Sequence, residues 1–249
     1  MGGYGCFAAV YDRLTENIDY DEMCAYYDRM ITKLGGKKGI LLELGCGTGN
    51  VSMGMARLGY DVIGTDLSVD MLNIAMSKPH DGIEYLCQDM RTLDMYGTND
   101  VTICTLDGIN HLDGEQDILD CFNSVSLFLE PGGLFLFDVN TVRKHREILS
   151  DNTFVYDLDD VYCVWQNFYD NETDRVDFVL DIFTEENGLY LRQTEEFSET
   201  ALPLGRIKEL LLQAGFESVE IHEFMTENKG GEECEKVLFS AVNKGKQKV

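Results

Sequence analysis

The chain is poor in basic residues and has no long hydrophobic run. Its 249 residues include 20 lysines and arginines against 45 aspartates and glutamates, so the formal charge at pH 7 is −25. A surface of this charge repels phosphate backbones and anionic lipids, which disfavours nucleic acid as a partner. No window approaches the roughly 18 consecutive apolar residues that a membrane-spanning helix needs. We therefore predict no membrane-spanning segment and no membrane partner.

Paired cysteine motifs are also missing. The eight cysteines are dispersed and form no CxxC pair, which argues against a disulfide framework and gives no spacing for a metal site. Several of them lie in apolar runs, where a free cysteine behaves as a small hydrophobe in a reducing compartment. We expect a cytoplasmic protein without a metal, and the oligomeric state stays open.

From residue 39 onwards, short apolar runs alternate with segments of helical periodicity. They predict strands at 39–44, 61–65, 83–87, 100–105 and 133–139, and helices at 51–58, 69–76 and 114–128. The helix at 114–128 should end before Pro131, because proline cannot continue it and the following glycines permit a turn. The alternation predicts an α/β fold, in which helices cover a doubly wound, mostly parallel sheet.

The segments on either side of this region have different hydrophobic patterns. Residues 19–34 predict an amphipathic helix that packs on the sheet, and β-branched and aromatic runs between 151 and 200 predict antiparallel hairpins. A helix at 203–214 and strands at 216–224 and 234–242 follow. We therefore predict three parts: an N-terminal helical cap (1–38), a core (39–150 and 201–249) and an inserted small antiparallel sheet (151–200) that serves as a substrate lid.

The most informative stretch is LLELGCGTGN at residues 41–50, a buried strand that runs into a glycine-rich turn and then a helix. Ligands of doubly wound sheets bind at the carboxyl ends of such strands. Gly45, Gly47 and Gly49 allow positive φ and let backbone N–H groups approach a ligand. The dinucleotide fingerprint G-x-G-x-x-G would require a third glycine where this chain has Asn50. This departure makes NAD the weaker choice of ligand.

Carboxylates follow the next two predicted strands. Asp66 ends the second strand, where it can accept both hydroxyls of a ribose. Asp89 follows the third strand, where it can meet the amino edge of an adenine. Each has an alternative structural role, because Asp66 can cap the helix that starts near Ser68 and Asp89 can be a turn residue. Their joint placement at strand ends favours an adenosine-containing ligand.

These residues resemble the motifs of the class I S-adenosylmethionine-dependent methyltransferases. The segments that carry the resemblance, over roughly 39–140, are ELGCGTG at 43–49, GTDLS at 64–68 with Met71-Leu72, Asp89-Met90, and LEPGG at 129–133. The pattern Tyr4-x-x-Phe7-Ala8-x-x-Tyr11-Asp12 resembles the small-molecule branch that includes sugar-amine and glycine N-methyltransferases. The resemblance implies a seven-stranded Rossmann-like sheet, S-adenosyl-L-methionine as cofactor and a small-molecule acceptor.

The resemblance also implies particular cofactor contacts. Main-chain groups of Gly45, Cys46 and Gly47 would hold the methionine part, and Asp66 would bind the ribose. The remaining implied cofactor residues are Leu67 and Met71 over the adenine, Asp89 and Met90 at its far edge, Leu106, and Tyr11 as the residue that closes the site. Apolar residues at helical spacing are as often core, so Leu67 and Met71 keep that alternative.

Methyl transfer from a sulfonium is an in-line displacement, which chiefly needs alignment and exclusion of water. A base matters when the nucleophile carries a proton that it must lose. The fourth predicted strand leads to Asp107 and His111 near the mouth of the crevice. We predict His111 as the base and Tyr11 and Asp107 as further catalytic residues. The alternative is that His111 caps or flanks the helix that starts near Gly114.

We therefore predict an S-adenosylmethionine-dependent methyltransferase that acts on a nitrogen or oxygen of a small-molecule acceptor. An NAD-dependent oxidoreductase is a rival in the same fold, disfavoured by Asn50 and by the lack of a Tyr-x-x-x-Lys pair. A non-catalytic nucleotide-binding or partner-binding module is a rival of another class. The sequence leaves the latter open, because methyl transfer has no obligatory catalytic residue.

Overall fold

A seven-stranded sheet lies at the centre of the computed structural model, which describes residues 5–79 and 82–245. Tyr4, named in the N-terminal pattern, lies outside these residues. The strands of the chain are β1 (Ile40–Leu44), β2 (Asp61–Asp66), β3 (Glu84–Cys87), β4 (Asn99–Cys104), β5 (Leu129–Asn140), β6 (Thr153–Asp157), β7 (Val161–Asp170), β8 (Arg175–Glu186), β9 (Leu189–Thr200), β10 (Phe216–Glu223) and β11 (Lys236–Asn243). The central sheet has the order β10-β11-β5-β4-β1-β2-β3.

The pairing of these strands confirms the predicted fold class. Strands β1 to β5 pair in parallel, whereas β11 is antiparallel to both β5 and β10. The chain runs outward from β1 through β2 to β3 and then returns to β4 on the other side of β1. This reversal is the topological switch point at which doubly wound sheets open a ligand crevice.

Helices cover both faces of the central sheet. They are α1 (Gly5–Leu14), α2 (Tyr20–Lys33), α3 (Asn50–Arg57), α4 (Val69–Ser77), α5 (Gly114–Phe128), α6 (Val142–Lys144) and α7 (Leu204–Gln213). Because successive side chains of a strand point to opposite faces, Leu42 and Leu44 join the core under α5 and α7, whereas Leu41 joins the core under α2 and α3. The predicted helix at 19–34 corresponds to α2, whose face with Met23 and Tyr27 is buried.

A separate antiparallel sheet of β6, β7, β8 and β9 follows β5 and α6. One face of this sheet packs against α1 in a third apolar cluster, which contains Phe7 and Val10 of α1 and Cys163, Phe178 and Leu180 of the sheet. The sequence predicts α1 only as part of the N-terminal helical cap (1–38), because its apolar face packs against an inserted sheet that is distant in the sequence.

The turn predicted at 130–133 takes a different form. Helix α5 ends at Phe128 as predicted, but β5 already begins at Leu129. The register against β4 then jumps from Asn99 with Leu129 to Val101 with Leu134, so the intervening residues bulge out of the ladder. Gly132 has φ of +82°, which glycine adopts without a Cβ penalty. None of the helices in the described part of the chain is long and apolar enough to cross a membrane.

Candidate active site

A cleft of about 750 Å³ opens at the carboxyl ends of β1, β2, β3 and β4, between the central sheet, α1 and the inserted sheet. Every residue predicted for the site lines it, namely Tyr11, Gly45, Cys46, Gly47, Asp66, Leu67, Met71, Asp89, Met90, Leu106, Asp107 and His111. The sheet topology brings together residues from four strand ends and from α1. Their roles in binding and catalysis are taken up below.

The glycine loop forms the floor of one end of the cleft. Gly45 and Gly47 have φ of +64° and +53°, so both need a residue that tolerates left-handed backbone. The N–H of Cys46 donates to the carbonyl of Thr65 at 2.9 Å, which ties the loop to β2. A Cβ added at Gly47 would meet no atom within 4 Å, so the space above the loop is open. The loop therefore suits a ligand that approaches the backbone closely.

Asp66 joins this loop to the start of α4. Its Oδ2 accepts the N–H of Gly47 at 2.8 Å and its Oδ1 accepts the N–H of Ser68 at 2.7 Å. Burial raises the pKa of Asp66, although these two N–H groups and His111 oppose the shift. Asp66 does not cap α4, because Ser68 is the N-cap and its side chain accepts the N–H of Met71. The carboxylate of Asp66 lines the cleft.

The predicted adenine residues have distinct surroundings. Arg91 binds both carboxylate oxygens of Asp89 through its guanidinium, and this contact, opposed by burial, lowers the pKa of Asp89. An adenine amino group would therefore share this carboxylate with Arg91. Leu67 is 66% exposed, whereas Met71 is buried in the cluster beside α1. Leu67 is thus open to a ligand, and Met71 has the core position that we named as its alternative.

Asp12 of α1 binds Thr48, Asn50 and Lys78, and this group of polar contacts, here called the latch, holds α1 to the glycine loop. Asp12 Oδ1 accepts from Thr48 Oγ1 at 2.6 Å and from Asn50 Nδ2 at 3.0 Å. Asp12 Oδ2 lies 2.6 Å from Lys78 Nζ, which also donates to the carbonyl of Thr48. Burial raises the pKa of Asp12, but these contacts outweigh it and lower the pKa overall. The side chain that replaces the third fingerprint glycine, Asn50, is therefore part of the latch.

Beneath the loop, the carboxyl group of Glu43 is buried at the end of β1. Glu43 is 1% exposed and accepts a hydrogen bond from the hydroxyl of Ser52 on α3. Burial raises its pKa from 4.5 to about 8, although the hydrogen bond from Ser52 opposes the shift. Glu43 is therefore mostly a neutral acid at neutral pH.

At the other end of the cleft, Asp107 is fixed as an anion. Its Oδ2 lies 3.1 Å from Lys236 Nζ and accepts from Asn140 Nδ2 at 2.7 Å. Burial alone would raise the pKa of Asp107, but Lys236, Lys144 and His111 outweigh it and lower the pKa to about 2. A carboxylate this acidic is a poor base. Its part in the site is electrostatic.

Tyr11 and His111 both line the cleft. Burial, together with Tyr20 and Asp107, raises the pKa of Tyr11 well above its ordinary value, so its hydroxyl stays protonated and can donate. His111 ends a short 3₁₀ helix (Gly108–His111), is exposed, and lies with its ring 5.6 Å from that of Phe197. Tyr11 is therefore an inner lining residue, and His111 lies where the cleft meets solvent.

The lining residues that the sequence does not predict include a polar group of four: Asn140, Lys144, Glu199 and Lys236. They come from β5, α6, β9 and β11, and their meeting depends on long-range strand pairing. The one local signal is strand alternation, which puts Glu199 on the same face as Phe197. Polar atoms of Asp107, His111 and Glu199 lie within 4.8 Å of one another. Since Lys236 already provides a cation for Asp107, we assign no metal there, and the predicted lack of a metal stays a prediction.

Comparisons with known proteins agree with this site. The model of a methyltransferase domain family matches residues 41–133. The putative methyltransferase YqeM of Bacillus subtilis (strain 168) is 31% identical over 241 residues, and the alignment covers 96% of each chain. The crystal structure of an S-adenosylmethionine-dependent methyltransferase from Clostridium acetobutylicum ATCC 824 is 27% identical, has a TM-score of 0.86 and covers 97% of this chain and 99% of that chain.

More distant structures share the fold alone. CalS10, an amino pentose methyltransferase from Micromonospora echinaspora solved with S-adenosylmethionine bound, has a TM-score of 0.76 at 18% identity, with 94% of this chain and 96% of that chain covered. The switch-point cleft and the glycine loop define a cofactor-binding α/β enzyme. The similarity to YqeM over nearly the whole chain makes the class specific: this chain belongs to the class I S-adenosylmethionine-dependent methyltransferases. The predicted cofactor, S-adenosyl-L-methionine, is thereby confirmed.

Replacement of Glu43 by glutamine should change how stability depends on pH. The folded protein holds the Glu43 proton more tightly than the unfolded chain, since its pKa rises from 4.5 to about 8. The stabilisation it gives is complete below pH 4.5 and is lost as the pH rises through about 8, in total a few kcal/mol. Urea unfolding across this range should show that loss for the wild type and not for Glu43→Gln. Glu84→Gln, at an exposed site on β3, is the control, and parallel wild-type and Glu43→Gln curves would contradict the assignment.

Loss of the latch should make local opening of α1 more frequent. The Asp12→Asn variant loses the ion pair with Lys78, so backbone amides of residues 5–14 should exchange with deuterium faster than in the wild type. Global stability should fall by at most about 1 kcal/mol, as for a partly exposed ion pair. Asp21→Asn, which removes an exposed ion pair with Arg57, is the control. An unchanged exchange rate across α1 in Asp12→Asn would rule out the latch.

Proposed function

We propose that this enzyme transfers a methyl group from S-adenosyl-L-methionine to a nitrogen or oxygen of a small-molecule acceptor. The observation that carries the proposal is a single cleft whose two ends differ. One end has an open glycine loop with Asp66, and the other has charged and aromatic side chains contributed by the inserted sheet. The volume of the cleft and the difference between its ends suit two ligands, a cofactor and an acceptor.

The cofactor end has features that fit this group. Gly45 and Gly47 leave the loop backbone without side chains at these two positions. Asp66 fixes the loop beside the cleft by accepting the N–H of Gly47. We assign the methionine part to the loop with Cys46, the ribose to Asp66 and the adenine to the exposed face of Leu67 with Asp89 and Met90. Tyr11, on the latched helix α1, closes the site. When bound, the cofactor supplies a methyl group on a positively charged sulfur.

The residues of the acceptor end align the nucleophile and exclude water. Aromatic side chains from α1 and from the inserted sheet, among them Phe7, Tyr156, Trp165, Phe178 and Phe197, line the walls. Tyr11 keeps its proton and can orient the acceptor through its hydroxyl. His111 is exposed at the mouth, where it can take up the acceptor's proton and return it to water.

A small acceptor fits the dimensions and the charge of this protein. A cleft of about 750 Å³ lies within the usual range for small-molecule sites, even before the cofactor occupies its share. The formal charge of −25 disfavours nucleic acid. The three-part division with residues 151–200 as the acceptor lid, and a cytoplasmic location, stay predictions. Membership of the methyltransferase family removes the NAD-dependent oxidoreductase and the non-catalytic module as rivals.

The test is an incubation of the protein with methyl-labelled S-adenosylmethionine and a low-molecular-mass bacterial metabolite extract. Mass spectrometry should find a labelled small-molecule product together with S-adenosylhomocysteine. A parallel incubation with bacterial RNA should give no labelled product. Label in RNA, with none in the small molecules, would overturn the proposed acceptor class.

Asp66 carries the ribose assignment, so Asp66→Ala should weaken cofactor binding. The expected loss is roughly 1.5–3 kcal/mol for each charge-assisted hydrogen bond removed. Calorimetric titration with S-adenosylmethionine measures it, and circular dichroism checks that the fold survives. Asp70→Ala, an exposed carboxylate in the first turn of α4, is the matched control. Unchanged affinity in Asp66→Ala would reject the assignment.

Substitutions at the acceptor end of the cleft should affect turnover and leave cofactor affinity intact. Tyr11→Phe and His111→Ala act on the acceptor and its proton, and a positioned proton acceptor is worth about 10²–10⁴-fold in rate. The measurement is the single-turnover rate with the acceptor fraction of the metabolite extract, beside calorimetry with the cofactor. Tyr96→Phe, at a fully exposed tyrosine, controls for the phenol substitution. Equal rates in wild type and His111→Ala would remove His111 from the path of the acceptor's proton.

A further inference from the structure

A buried histidine–glutamate pair lies behind the acceptor end of the cleft, and nothing above gives it a role. Glu199, near the end of β9, lines the cleft and is 7% exposed. His145 follows α6 and is fully buried. The Nε2 atom of His145 lies 3.3 Å from Oε2 of Glu199. This contact falls short of hydrogen-bond geometry, and the nitrogen has no hydrogen-bond partner in the described part of the chain.

The surroundings of His145 fix where its protons are. Its Nδ1 lies 2.9 Å from the backbone carbonyl oxygen of Asp174, which only accepts hydrogen bonds, so Nδ1 carries a proton. A neutral imidazole would then point the lone pair of Nε2 at a carboxylate oxygen. Two acceptors repel in a buried site unless a proton lies between them. One shared proton, carried by Nε2 when Glu199 is a carboxylate, would remove this repulsion.

Asn140 binds one of the two carboxylate oxygens of Glu199. Its Nδ2 donates to Glu199 Oε2 at 2.8 Å and to Asp107 Oδ2 at 2.7 Å. Its Oδ1 accepts from Lys144 Nζ at 2.9 Å, which fixes the orientation of the amide. Oε2 of Glu199 is thus occupied by Asn140 and His145. Oε1 accepts no hydrogen bond from the described residues, so it is the oxygen that can act on a ligand.

The charged groups around the pair come from every element that packs on it. Lys144 of α6 and Lys236 of β11 are balanced by Asp107 and by the buried Asp138 of β5, and His111 faces the same space from the loop after β4. Asp107 is too acidic to accept a proton at neutral pH, because Lys236 holds it as an anion. Among the described residues, no lysine or arginine forms an ion pair with Glu199. Glu199 is therefore better suited than Asp107 to act as a base.

We propose that Glu199 takes up the proton that the acceptor's nitrogen or oxygen loses on methylation, and that His145 is the residue that positions it. The proposal rests on the proposed function. In this step the acceptor's lone pair forms the bond to the methyl carbon, and the electron pair of the broken carbon–sulfur bond stays on sulfur. The acceptor's proton moves to Oε1, which makes Glu199 a neutral acid. His111 then takes this proton to water, and the carboxylate returns.

Nitrogen-15 NMR of histidine-labelled protein tests the shared proton without any acceptor. At neutral pH the wild type should show both ring nitrogens of His145 protonated. In Glu199→Gln only Nδ1 should stay protonated, because the amide no longer stabilises an imidazolium. Glu196→Gln, on the exposed face of the same strand, should resemble the wild type. An unprotonated Nε2 in the wild type would overturn the proposal. Because this measurement is made on the wild type, it does not depend on whether a variant folds.

Turnover tests the base itself, with a low-molecular-mass metabolite extract as the source of acceptor and release of S-adenosylhomocysteine as the readout. Glu199→Gln should lose about 10²–10⁴-fold in rate with unchanged cofactor affinity, and Glu196→Gln should lose nothing. In His145→Gln the acidic limb of the pH–rate profile should move to higher pH, because the imidazolium no longer favours the carboxylate of Glu199.

The outcomes separate this proposal from the one on which it rests. If Glu199→Gln keeps the wild-type rate within a few-fold, the base assignment fails and the methyltransferase reaction stands. If His145→Gln keeps the wild-type acidic limb, His145 does not act through Glu199. If the wild type releases no S-adenosylhomocysteine from any fraction although it binds the cofactor, the small-molecule acceptor fails and the base fails with it.

Discussion

The buried carboxylate of Asp138 is the contact on which the acceptor end of this enzyme depends. Asp138 has no exposed surface, lies on β5 and pairs with Lys236 of β11 at 3.0 Å. It accepts the N–H of Asp107 at 2.9 Å, the N–H of Leu106 at 2.8 Å and the hydroxyl of Tyr27 at 2.8 Å. A buried charge is costly unless it is paired and fully hydrogen-bonded. Asp138 meets that requirement with donors from β11, α2 and the loop after β4, and so ties the three together.

This constraint explains the unusual loop after β4. Leu106 and Asp107 both have φ near +55°, a left-handed conformation that costs about 1–2 kcal/mol for each residue that is not glycine. Asp138 accepts both N–H groups of this turn, which offsets the strain and fixes its direction. The same turn aims Asp107 at Lys236 and starts the 3₁₀ helix that carries His111 to the mouth. The backbone of this turn therefore determines which polar side chains line this end of the cleft.

Local patterns were enough to predict one half of the site. The strand, glycine turn and helix at residues 41–57, and the end of α5 before Pro131, follow from turn chemistry and periodicity that short segments encode. Asp138 gave no such signal, because it lies in an apolar run that indicates only a buried strand. Its partner Lys236 is brought alongside by the antiparallel register in which Lys236 pairs with Asn140. Such registers depend on tertiary packing, so the lysines, Asn140 and Glu199 could not be placed from one sequence.

Helix α1 joins the two ends of the cleft, and this accounts for the residue that departs from the dinucleotide fingerprint. Phe7 stacks on Phe197 of the inserted sheet with ring centroids 5.6 Å apart, while Asp12, one and a half turns further on, binds Asn50 at the glycine loop. A glycine at position 50 would remove one of the three side chains that hold Asp12. At this position the chain thus needs a side chain that donates a hydrogen bond to Asp12 of α1. The dinucleotide fingerprint instead needs a glycine there for close helix–strand packing. Because Tyr11 lies between these two anchors, the contact with the loop and the contact with the sheet together fix the position of its hydroxyl in the cleft.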